Sequence, residues 1–312
     1  MKKTCYFLAV FIYIQSAYGV PQYYCTASNW AFFNSLLNLI GSIHHSNFDE
    51  LEQIAVFDLG LYPEQIEFLE GIEKVAVYPL EKTHPEMTDY FQVPERICLG
   101  WYAWKSPAIK QALKMFPYVL YTDAGTEIRN SLAHLFEYIQ TNKYFLCTIG
   151  DHRNSTGKWI HSVGWGITSF VKDKFEMNGP DKKWILDQES VMGGVIGVSR
   201  DGQSFFLDDL YELSKDLRNF ADDGTASKGW GSARHDQVLM SILAYSRNLT
   251  IHKQDGKRKD NPILLPIDNQ IHPFYITWDK NLVDTNTCIY SCRVDNTNHT
   301  YYLSKIRKKG EN

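Results

Sequence analysis

The chain has 312 residues, of which 44% are hydrophobic and 22% are charged, and its formal net charge is −4 at pH 7. This composition can bury one large core, arranged as one domain or two. The mixed charges and the absence of a repeat period exclude a disordered chain and a solenoid.

The first 19 residues have the pattern of a secretory signal peptide. Two lysines precede an apolar run from Cys5 to Ile14, and small residues follow at Ala17 and Gly19. The run is shorter than the ~20 residues needed to span a bilayer, so we expect cleavage after Gly19, with an uncleaved anchor as the alternative. No later segment of the sequence is long enough to span a membrane.

Cleavage would leave one mature domain over residues 20–312. It would also remove Lys2 and Lys3, which takes the formal charge from −4 to −6. Such a negative chain is poorly suited to a nucleic-acid partner, and none is expected. The leader pattern predicts a protein of the secretory pathway, either secreted or in an organelle lumen, or in the periplasm if the chain is bacterial.

Cysteine usage is compatible with export. Five cysteines would remain after cleavage, an odd number too sparse for a disulfide scaffold. Cys288 and Cys292 lie four residues apart and could form a local bridge. Cys25 and Cys147 lie in strand-like runs and are expected to be buried thiols.

Along the mature chain, strand-like and helix-like segments alternate. The first strand, QYYCTAS (22–28), precedes an amphipathic helix that Asn29 would cap, with apolar residues at Phe32, Leu36, Leu37, Ile40 and Ile43. Later strands are predicted at QIAVFDLGL, KVAVYPLE, YVLYTDA and YFLCTIG, and later helices at YPEQIEFLEGI, SPAIKQALKMF and NSLAHLFEYIQTN. In SPAIKQALKMF, Ser106 is expected to be the N-cap and Pro107 the first helical residue.

This alternation predicts an α/β fold, with a mostly parallel central sheet covered by helices on both faces in three α/β/α layers. Ligands of such sheets bind beyond the carboxyl ends of the strands. Ser28, Asp58 and Asp123 each stand near such an end. We therefore expect them along one edge of a common crevice.

Several standard motifs are absent from the sequence. The first strand is followed by TASNW and not by a glycine-rich dinucleotide turn, and there is no Walker loop, G-x-S-x-G elbow or H-E-x-x-H. These absences exclude ordinary Rossmann dehydrogenases, P-loop NTPases, α/β-hydrolases and zincins in their standard forms. The feature that remains is an acidic residue, Asp123, at the end of a mid-chain strand.

Three segments carry a family resemblance: AWKSPAIKQALKMFPYVLYTDAGTEI, the glycine-rich QESVMGGVIGVSR and the helix RHDQVLMSILAY. Together they resemble nucleotide-diphospho-sugar transferases of the GT-A (Rossmann-like) fold, in particular the glycosyltransferase-like group in which the DxD motif reads DAG. The resemblance extends from about Tyr23 to His272.

In that family the resemblance implies that the DxD carboxylates hold Mn²⁺ or Mg²⁺, which neutralises the leaving diphosphate of a sugar nucleotide. Asp123 matches the first DxD position and Gly125 the second, so one carboxylate is missing. The metal would be completed by Glu127, by a remote His or Asp such as His272, or by water and the phosphates. Otherwise no metal is bound.

The resemblance also implies donor-binding residues. Lys105 stands where the family has a donor-site lysine, and Thr26, Ala27 and Asn29 stand where the fold holds the nucleoside. Lys105 could equally be a solvated lysine, and Asn29 only a helix cap. Asp58 could bind the base or ribose, or only close its own turn.

The segment DQESVMGG supplies further candidates. Gly193 and Gly194 would let the backbone approach the donor sugar closely, or form a bulge. Glu189, or Asp187 in the same turn, could orient the sugar or deprotonate an acceptor hydroxyl.

The loop ADDGTASKGWGS and the helix after it resemble the acceptor side of the family. Trp230, His235 and Gln237 are candidate acceptor contacts. Asp236 is a candidate catalytic residue whose other use is as a first-turn acid of the helix. Aromatic residues in glycine-containing loops fit stacking on carbohydrate; they are Trp101, Tyr102, Trp104, Trp165 and Trp230.

The sequence thus predicts a glycosyltransferase with Asp123 at its metal-diphosphate centre, a nucleotide-sugar donor and a glycan, protein or lipid acceptor. Two alternatives stay open. One is a degenerate sugar-nucleotide or glycan-binding protein, suggested by the missing carboxylate, and the other is a secreted interaction protein on the same scaffold. No unique base or nucleophile distinguishes retaining from inverting transfer.

Overall fold

The structure is a computed structural model and describes residues 19–94, 96–148, 161–253, 262–277, 283–291 and 301–310. Nearly all of the predicted signal peptide lies outside these ranges, as does Cys292 with its predicted bridge to Cys288. None of the helices found within them could serve as an apolar span across a bilayer.

Strands and helices alternate through the first half of the chain, as predicted. The strands are β1 Gln22–Ser28, β2 Leu51–Asp58, β3 Val75–Pro79, β4 Tyr90–Val93, β5 Arg96–Leu99, β6 Tyr118–Thr122, β7 Thr126–Ile128, β8 Tyr144–Phe145, β9 Val195–Ser199, β10 Ile263–Ile267, β11 Gln270–Phe274, β12 Ile276–Thr277 and β13 Ile289–Ser291. The helices are α1 Phe33–Asn47, α2 Pro63–Glu70, α3 Lys105–Met115, α4 Ala133–Asn142, α5 Val163–Gly166, α6 Ser169–Lys174, α7 Leu207–Leu213 and α8 His235–Ser246.

The central sheet has six strands in the order β3-β2-β1-β6-β9-β8. The pairs β3/β2, β2/β1 and β1/β6 are parallel, whereas β9 is antiparallel to both β6 and β8. The predicted mostly parallel sheet is therefore confirmed. Because the chain winds from β1 outward to β3 and later returns to the other side of β1, the switch in strand order lies between β1 and β6.

Helices cover both faces of this sheet, which confirms the three layers. One core contains Cys25 and Ala27 of β1 with apolar residues of α3, α7 and α8. The opposite core contains Tyr24 of the same strand with apolar residues of α1, α4 and the hairpin β10–β11. Neighbouring residues of β1 point to opposite faces, and both faces are buried. Cys25 and Cys147 are buried free thiols, as predicted.

The predicted start of α3 is wrong. The helix begins at Lys105, and Trp104 takes the N-cap position without a side-chain hydrogen bond. Ser106 instead lies inside the helix, where its hydroxyl donates to the carbonyl of Leu210 at 3.2 Å. The Ser106 hydroxyl thus donates a tertiary hydrogen bond to α7 and does not cap its own helix.

Two other local predictions need correction. The strand predicted at YFLCTIG is confirmed but short: among its described residues β8 covers Tyr144–Phe145, and Cys147 forms an isolated bridge with His252. Phe32, predicted on the buried helix face, is 48% exposed because it belongs to a 3₁₀ turn that precedes α1. The other predicted apolar positions of α1 are buried.

Two small sheets extend the carboxyl edge of the central sheet. Strand β7 pairs with β13, and Ser291 lies opposite Thr126, so Ser291 is brought close to the turn that follows β6. Strands β4 and β5 form an antiparallel hairpin in which Tyr90 lies opposite Leu99. These additions were not predicted from the sequence.

Candidate active site

Lys105 is the centre of the candidate site. Its ammonium nitrogen Nζ lies 3.1 Å from Asp123 Oδ1, 3.0 Å from Asp236 Oδ2 and 2.9 Å from the carbonyl oxygen of Gly193. The side chains of Lys105 and Asp236 are 5% and 7% exposed, whereas that of Asp123 is 45% exposed. The buried ammonium therefore joins one buried and one solvent-facing carboxylate.

The four groups come from separate parts of the fold. Lys105 begins α3, Asp123 follows β6, Gly193 precedes β9 and Asp236 lies in the first turn of α8. Strands β6 and β9 are adjacent, and the backbone N–H of Asp123 donates to the carbonyl of Gly194 at 3.0 Å. Packing of α3 and α8 on one face of the sheet then closes the site around Lys105.

Burial and the neighbouring carboxylates have opposite effects on the pKa of Lys105. Burial by itself would lower its pKa, but the charges of Asp123 and Asp236 outweigh this effect and raise the pKa above the ordinary value. Burial raises the pKa of Asp236, while the charge of Lys105 opposes that change. Lys105 is therefore charged at neutral pH, and its ammonium lies between two carboxyl groups.

Aromatic rings surround the ammonium and hold Asp123 in place. The ring centroids of Tyr102, Trp104 and Tyr121 lie 5.6, 5.9 and 5.6 Å from Lys105 Nζ. The Tyr121 hydroxyl donates to Asp123 Oδ1 at 2.7 Å. Burial raises the pKa of Tyr121, so the hydroxyl keeps its proton and remains a donor.

The second carboxylate oxygen of Asp123, Oδ2, faces a space that a glycine leaves open. A methyl group on Gly194 would come within 2.9 Å of Oδ2 and 3.6 Å of the Ser291 hydroxyl. Tyr121 and Lys105 both bind Oδ1, and among the described residues no donor binds Oδ2. Oδ2 is therefore available to a ligand, in a cradle lined by oxygen atoms.

The glycine pair makes room for protein side chains. A methyl group on Gly193 would lie 2.5 Å from Asp236 Oδ2 and 2.8 Å from the Gln237 side chain, and one on Gly194 would meet Asp123. The two glycines were predicted to admit a donor sugar. That role stays a prediction, and their observed contacts explain how Asp123 and Asp236 can lie so close to the backbone that leads into β9.

Glu189, a predicted catalytic residue, lies away from Lys105. Its carbonyl accepts a hydrogen bond at 2.8 Å from the hydroxyl of Tyr245, near the end of α8. At 1.5 Å per helical residue, Tyr245 is about 13 Å along the axis from Asp236. From Glu189 to Gly193 the backbone runs alongside α8 toward the start of that helix. Gly193 therefore lies beside Asp236 and Lys105, whereas Glu189 lies near the other end of α8.

Glu127, a predicted metal ligand, is held by other protein groups. It is 7% exposed, its Oε1 accepts from Asn38 Nδ2 at 3.3 Å, and its Oε2 pairs with Arg129 Nη1 at 3.1 Å. The strand alternation of β7 directs Glu127 toward α1, which carries Asn38.

His272, the third predicted metal ligand, lies on β11 and stacks on His134 with ring centroids 3.8 Å apart. Across the part of the chain that the structure describes, no group of three His, Cys, Asp or Glu side chains is arranged to hold a metal ion. Asp123, Glu127 and His272 are therefore not brought together. The oxygen cradle at Asp123 Oδ2 is the feature that fits a hard cation, with one carboxylate and one hydroxyl from the protein.

Asn29 connects the first strand to the hairpin β4–β5. Its Oδ1 accepts from the backbone N–H groups of Ala31 and Phe32 at 3.1 and 3.2 Å, so Asn29 caps the 3₁₀ turn Trp30–Phe32. It does not cap α1 as predicted, since Phe32 takes the N-cap position of that helix without a side-chain hydrogen bond. Its Nδ2 donates to the hydroxyl of Tyr90 at 3.2 Å. Tyr90 is 53% exposed, so an aromatic ring stands beside the carboxyl end of β1.

The other predicted nucleoside contacts are turned inward or used locally. Thr26 is fully buried and Ala27 is 5% exposed, so neither presents its side chain to solvent. Asp58 Oδ1 accepts from the backbone N–H groups of Gly60 and Leu61, both at 2.7 Å. Of the two uses left open for Asp58, turn closure is the one observed.

Two exposed aromatic residues at this edge were missed by sequence reasoning. Trp30 and Tyr62 are 47% and 51% exposed, and their rings stack with centroids 5.8 Å apart. The backbone N–H of Trp30 donates to the carbonyl of Gly60 at 3.0 Å, which joins the loops after β1 and β2. Their positions in the sequence were the available signal. Trp30 directly follows the predicted cap residue Asn29, and Tyr62 comes four residues after Asp58, the predicted turn residue.

On the predicted acceptor side, His235 is a buried residue. It is 6% exposed, its Nδ1 lies 2.6 Å from the carbonyl oxygen of Phe220, and its ring packs against Trp101 and Tyr102. Gln237 is half-buried against Gly193 and so borders the site.

Trp230 is 55% exposed and belongs to an organised loop. The buried carboxylate of Asp222 accepts from the backbone N–H groups of Gly224 at 3.0 Å and Gly231 at 2.7 Å, so it ties both ends of this loop together. A methyl group on Gly224 would meet the Trp230 indole at 2.6 Å. The loop therefore presents the Trp230 ring in a defined position.

The predicted use of Trp101 and Trp104 in carbohydrate stacking is wrong. They are 7% and 6% exposed and belong to the core on the α3 side of the sheet. The Trp104 indole N–H donates to the carbonyl of Leu99 at 3.1 Å. The neighbouring Gly100 is needed because its backbone lies close to that of Met87: a methyl group on Gly100 would lie 1.7 Å from the Met87 carbonyl oxygen.

No protein-family model matches the sequence, and no match is found among curated proteins. Solved structures of glycosyltransferases resemble the chain. The bifunctional glycosyltransferase WbbM is 16% identical over 75% of this chain with a TM-score of 0.45, and this chain spans 38% of its length. The galactosyltransferase LgtC, in complex with donor and acceptor sugar analogs, is 12% identical over 93% of this chain and 98% of its own, with a TM-score of 0.49. Core-mannan synthase A from Aspergillus fumigatus, in its Mn/GDP form, is 10% identical over 75% of this chain and 72% of its own, with a TM-score of 0.45.

Proposed function

We propose that this protein transfers a sugar from a nucleotide-diphosphate sugar to an acceptor hydroxyl. The observation that carries this proposal is the position of the Asp123 carboxylate and the contacts of its two oxygens. Its carboxylate stands at the switch in strand order, with Oδ1 fixed by Lys105 and Tyr121 and Oδ2 open in the cradle beside Gly194. A fixed carboxylate with one open oxygen at this edge is suited to a charged ligand centre.

The spacing of the strands supports an elongated ligand. Strands β6 and β2 lie on either side of β1, and adjacent strands are about 4.8 Å apart, so their ends are separated by roughly 10 Å. A nucleoside diphosphate can reach across this distance, with its phosphates at Asp123 and its nucleoside at the ends of β1 and β2, between Asn29 and Tyr62. The exposed rings of Trp30, Tyr62 and Tyr90 border the nucleoside end.

The donor atoms at Asp123 fit Mn²⁺ or Mg²⁺. Asp123 Oδ2 and the Ser291 hydroxyl would hold the ion, with phosphate and water oxygens as its other ligands. A bound ion supplies positive charge against the charge that develops on a leaving diphosphate. Lys105 and Tyr121 keep Asp123 oriented, and Asp236 keeps Lys105 in place from the buried side.

One observation favours a second function, namely binding of a sugar nucleotide without turnover. Asp236 contacts Lys105, Glu127 is paired with Arg129, and Glu189 is displaced along α8. Apart from Asp123, which is proposed to hold the cation, these predicted carboxylates are engaged or remote, and none of them is placed as a general base for an acceptor hydroxyl. We keep this degenerate donor-binding protein as the alternative.

The signal-like first residues are the basis for proposing that the protein works in the secretory pathway. An endoplasmic reticulum or Golgi lumen contains sugar nucleotides, whereas a bacterial periplasm lacks a ready pool. The acceptor is proposed only as a glycan, protein or lipid that offers a hydroxyl group.

The test is a donor screen on the mature protein. UDP- and GDP-sugars are supplied with and without Mn²⁺, and both donor hydrolysis and thermal shift are measured for wild type and Asp123→Asn. Asp201→Asn is the control. That carboxylate is 80% exposed, and it follows the end of β9 that is opposite to the end carrying Gly193 and Gly194. We expect Mn²⁺-dependent hydrolysis of at least one donor that only Asp123→Asn loses. Binding without hydrolysis would favour the alternative, and the absence of any response would refute both.

A further inference from the structure

We propose that Lys105 excludes a divalent cation from the space between Asp123 and Asp236, so that cation and nucleotide bind at the outer oxygen of Asp123 only together. This inference rests on the proposed function and concerns how the donor and its cation enter the site.

The inner position is already filled. Lys105 Nζ lies within 3.1 Å of three oxygen atoms, from Asp123, Asp236 and the Gly193 carbonyl. An ammonium group has three donors, which equals the number of oxygens around it. The lysine side chain is 5% exposed. Two carboxylates that would otherwise form a divalent-cation site are thus occupied by a cation of the protein itself.

The outer position offers few ligands. On the open side of Asp123, the protein provides Oδ2 and, across the space left by Gly194, the hydroxyl of Ser291. Glu127 is directed to Asn38 and Arg129. Mg²⁺ and related cations take six oxygen ligands and bind through one or two carboxylates when phosphates complete the set. A single charged ligand is too little to hold the free cation.

Charge makes the dependence mutual. The formal charges of Lys105, Asp123 and Asp236 add up to −1, and a charge of this sign repels a diphosphate at close range. The cation needs the phosphate oxygens, and the diphosphate needs the cation to offset Asp123. By linkage, the factor by which nucleotide raises Mn²⁺ affinity equals the factor by which Mn²⁺ raises nucleotide affinity.

The first experiment measures this coupling directly. Mn²⁺ is titrated into the mature protein and followed by electron paramagnetic resonance, with no nucleotide, with UDP and with GDP. We expect negligible binding of Mn²⁺ alone and an affinity increase on the order of 100-fold with one of the nucleotides. Glu127→Gln should behave as wild type, whereas Asp123→Asn should bind neither ligand.

Four outcomes would overturn the inference. Tight binding of Mn²⁺ without nucleotide would do so, and so would nucleotide binding that is equally tight with and without Mn²⁺; the proposed function would survive either result. A loss of coupling in Glu127→Gln would also overturn it. Failure of UDP and GDP to bind under any condition would refute the inference and count against the proposed function as well.

The second experiment opens the inner position. Lys105→Met removes the resident ammonium and leaves Asp123 and Asp236 facing each other, so Mn²⁺ alone should now bind and raise the melting temperature. Adding Asp236→Asn should abolish this gain. Should Lys105→Met fail to fold, Lys105→Gln provides the same test, because glutamine removes the ammonium charge and keeps a hydrogen-bond donor beside Asp123 and Asp236. If neither variant gains Mn²⁺ binding without nucleotide, the proposed exclusion by Lys105 is wrong.

Discussion

The ammonium of Lys105 lies 3.0 Å from Asp236, and both side chains are more than nine-tenths buried. The same ammonium lies 3.1 Å from Asp123, whose side chain is 45% exposed. Two carboxylates on one lysine thus differ in their access to water, and this difference separates their expected roles.

Asp236→Asn should destabilise the protein far more than Asp123→Asn. Removing one partner of a buried ion pair costs about 3 kcal/mol or more, whereas losing the half-exposed carboxylate should cost no more than about 1 kcal/mol. Urea denaturation of the two variants measures this difference in the free energy of unfolding. Equal losses would mean that Asp123 also serves mainly the stability of the fold.

Alanine at Gly193 and at Gly194 should have different consequences. A methyl group on Gly193 would lie 2.5 Å from Asp236, which is buried and cannot move away, so overpacking should cost about 1–3 kcal/mol. A methyl group on Gly194 would lie 2.9 Å from Asp123 Oδ2 and would fill the cradle. Gly194→Ala should therefore weaken Mn²⁺-nucleotide binding at least tenfold with a smaller loss of stability. Calorimetric titration together with urea denaturation distinguishes the two effects, and unchanged ligand affinity in Gly194→Ala would contradict the assignment of the cradle.

Asn29→Ala should cost about 1 kcal/mol, the usual loss when a capping side chain is removed. Asn29 also donates to Tyr90, so Tyr90→Phe is the matched variant that removes this hydrogen bond and keeps the cap. We expect Tyr90→Phe to lose roughly 0.5 kcal/mol or less, because the bond is partly solvated. Thermal unfolding of both variants tests the prediction. A larger loss in Tyr90→Phe would show that the hairpin contact, and not the cap, is the stabilising feature.

His44 should make the protein less stable in mild acid. Burial and the nearby charge of Arg307 lower its pKa to about 4, and Lys74 adds to this effect. The unfolded chain takes up a proton near pH 6.5 that the folded chain takes up only near pH 4, so the contribution is full above pH 6.5 and is lost as the pH falls through this window. Between pH 7.5 and pH 5 the expected loss is roughly 2 kcal/mol.

Urea denaturation at these two pH values measures the total loss, to which His252 also contributes because burial lowers its pKa to about 4. The difference between wild type and His44→Gln isolates the part due to His44. His44→Gln should show a smaller difference between pH 7.5 and pH 5 than wild type, because glutamine does not titrate. His45→Gln, a change at the exposed neighbouring position, is the control and should keep the wild-type difference. An unchanged pH dependence in His44→Gln would contradict the assignment to His44.

Much of the sheet could be predicted because hydrophobic pattern and chain order are local information. Tyr118 to Thr122 is buried along its whole length, and apolar strands separated by helices require a parallel sheet covered on both faces. Boundaries were less predictable where a tertiary contact competes with a local rule. Ser106 has the sequence of an N-cap, yet its hydroxyl bonds Leu210 from inside the helix.

In the candidate site, too, the positions of residues could be predicted from local pattern, whereas their contacts could not. Alternation of strands and helices is enough to place Asp123 and Asn29 at one edge, since the carboxyl ends of parallel strands lie on the same side of a sheet. The alternation of strands and helices does not predict which group a polar side chain contacts, because the contacting group belongs to a distant segment of the chain. Glu127 is directed to Asn38 and His272 to His134, so neither joins Asp123.

The sequence by itself determined the layers of the fold and the position of Asp123 at the end of β6, because hydrophobic periodicity and the alternation of strands with helices along the chain are local features of the sequence. Tertiary structure decided which charges meet. Lys105 lies between Asp123 and Asp236 because α3 and α8 pack on the same face of the sheet and Gly193 and Gly194 leave the space for them. The balance of one buried cation against two carboxylates, on which the proposed chemistry depends, exists only once those elements are packed together.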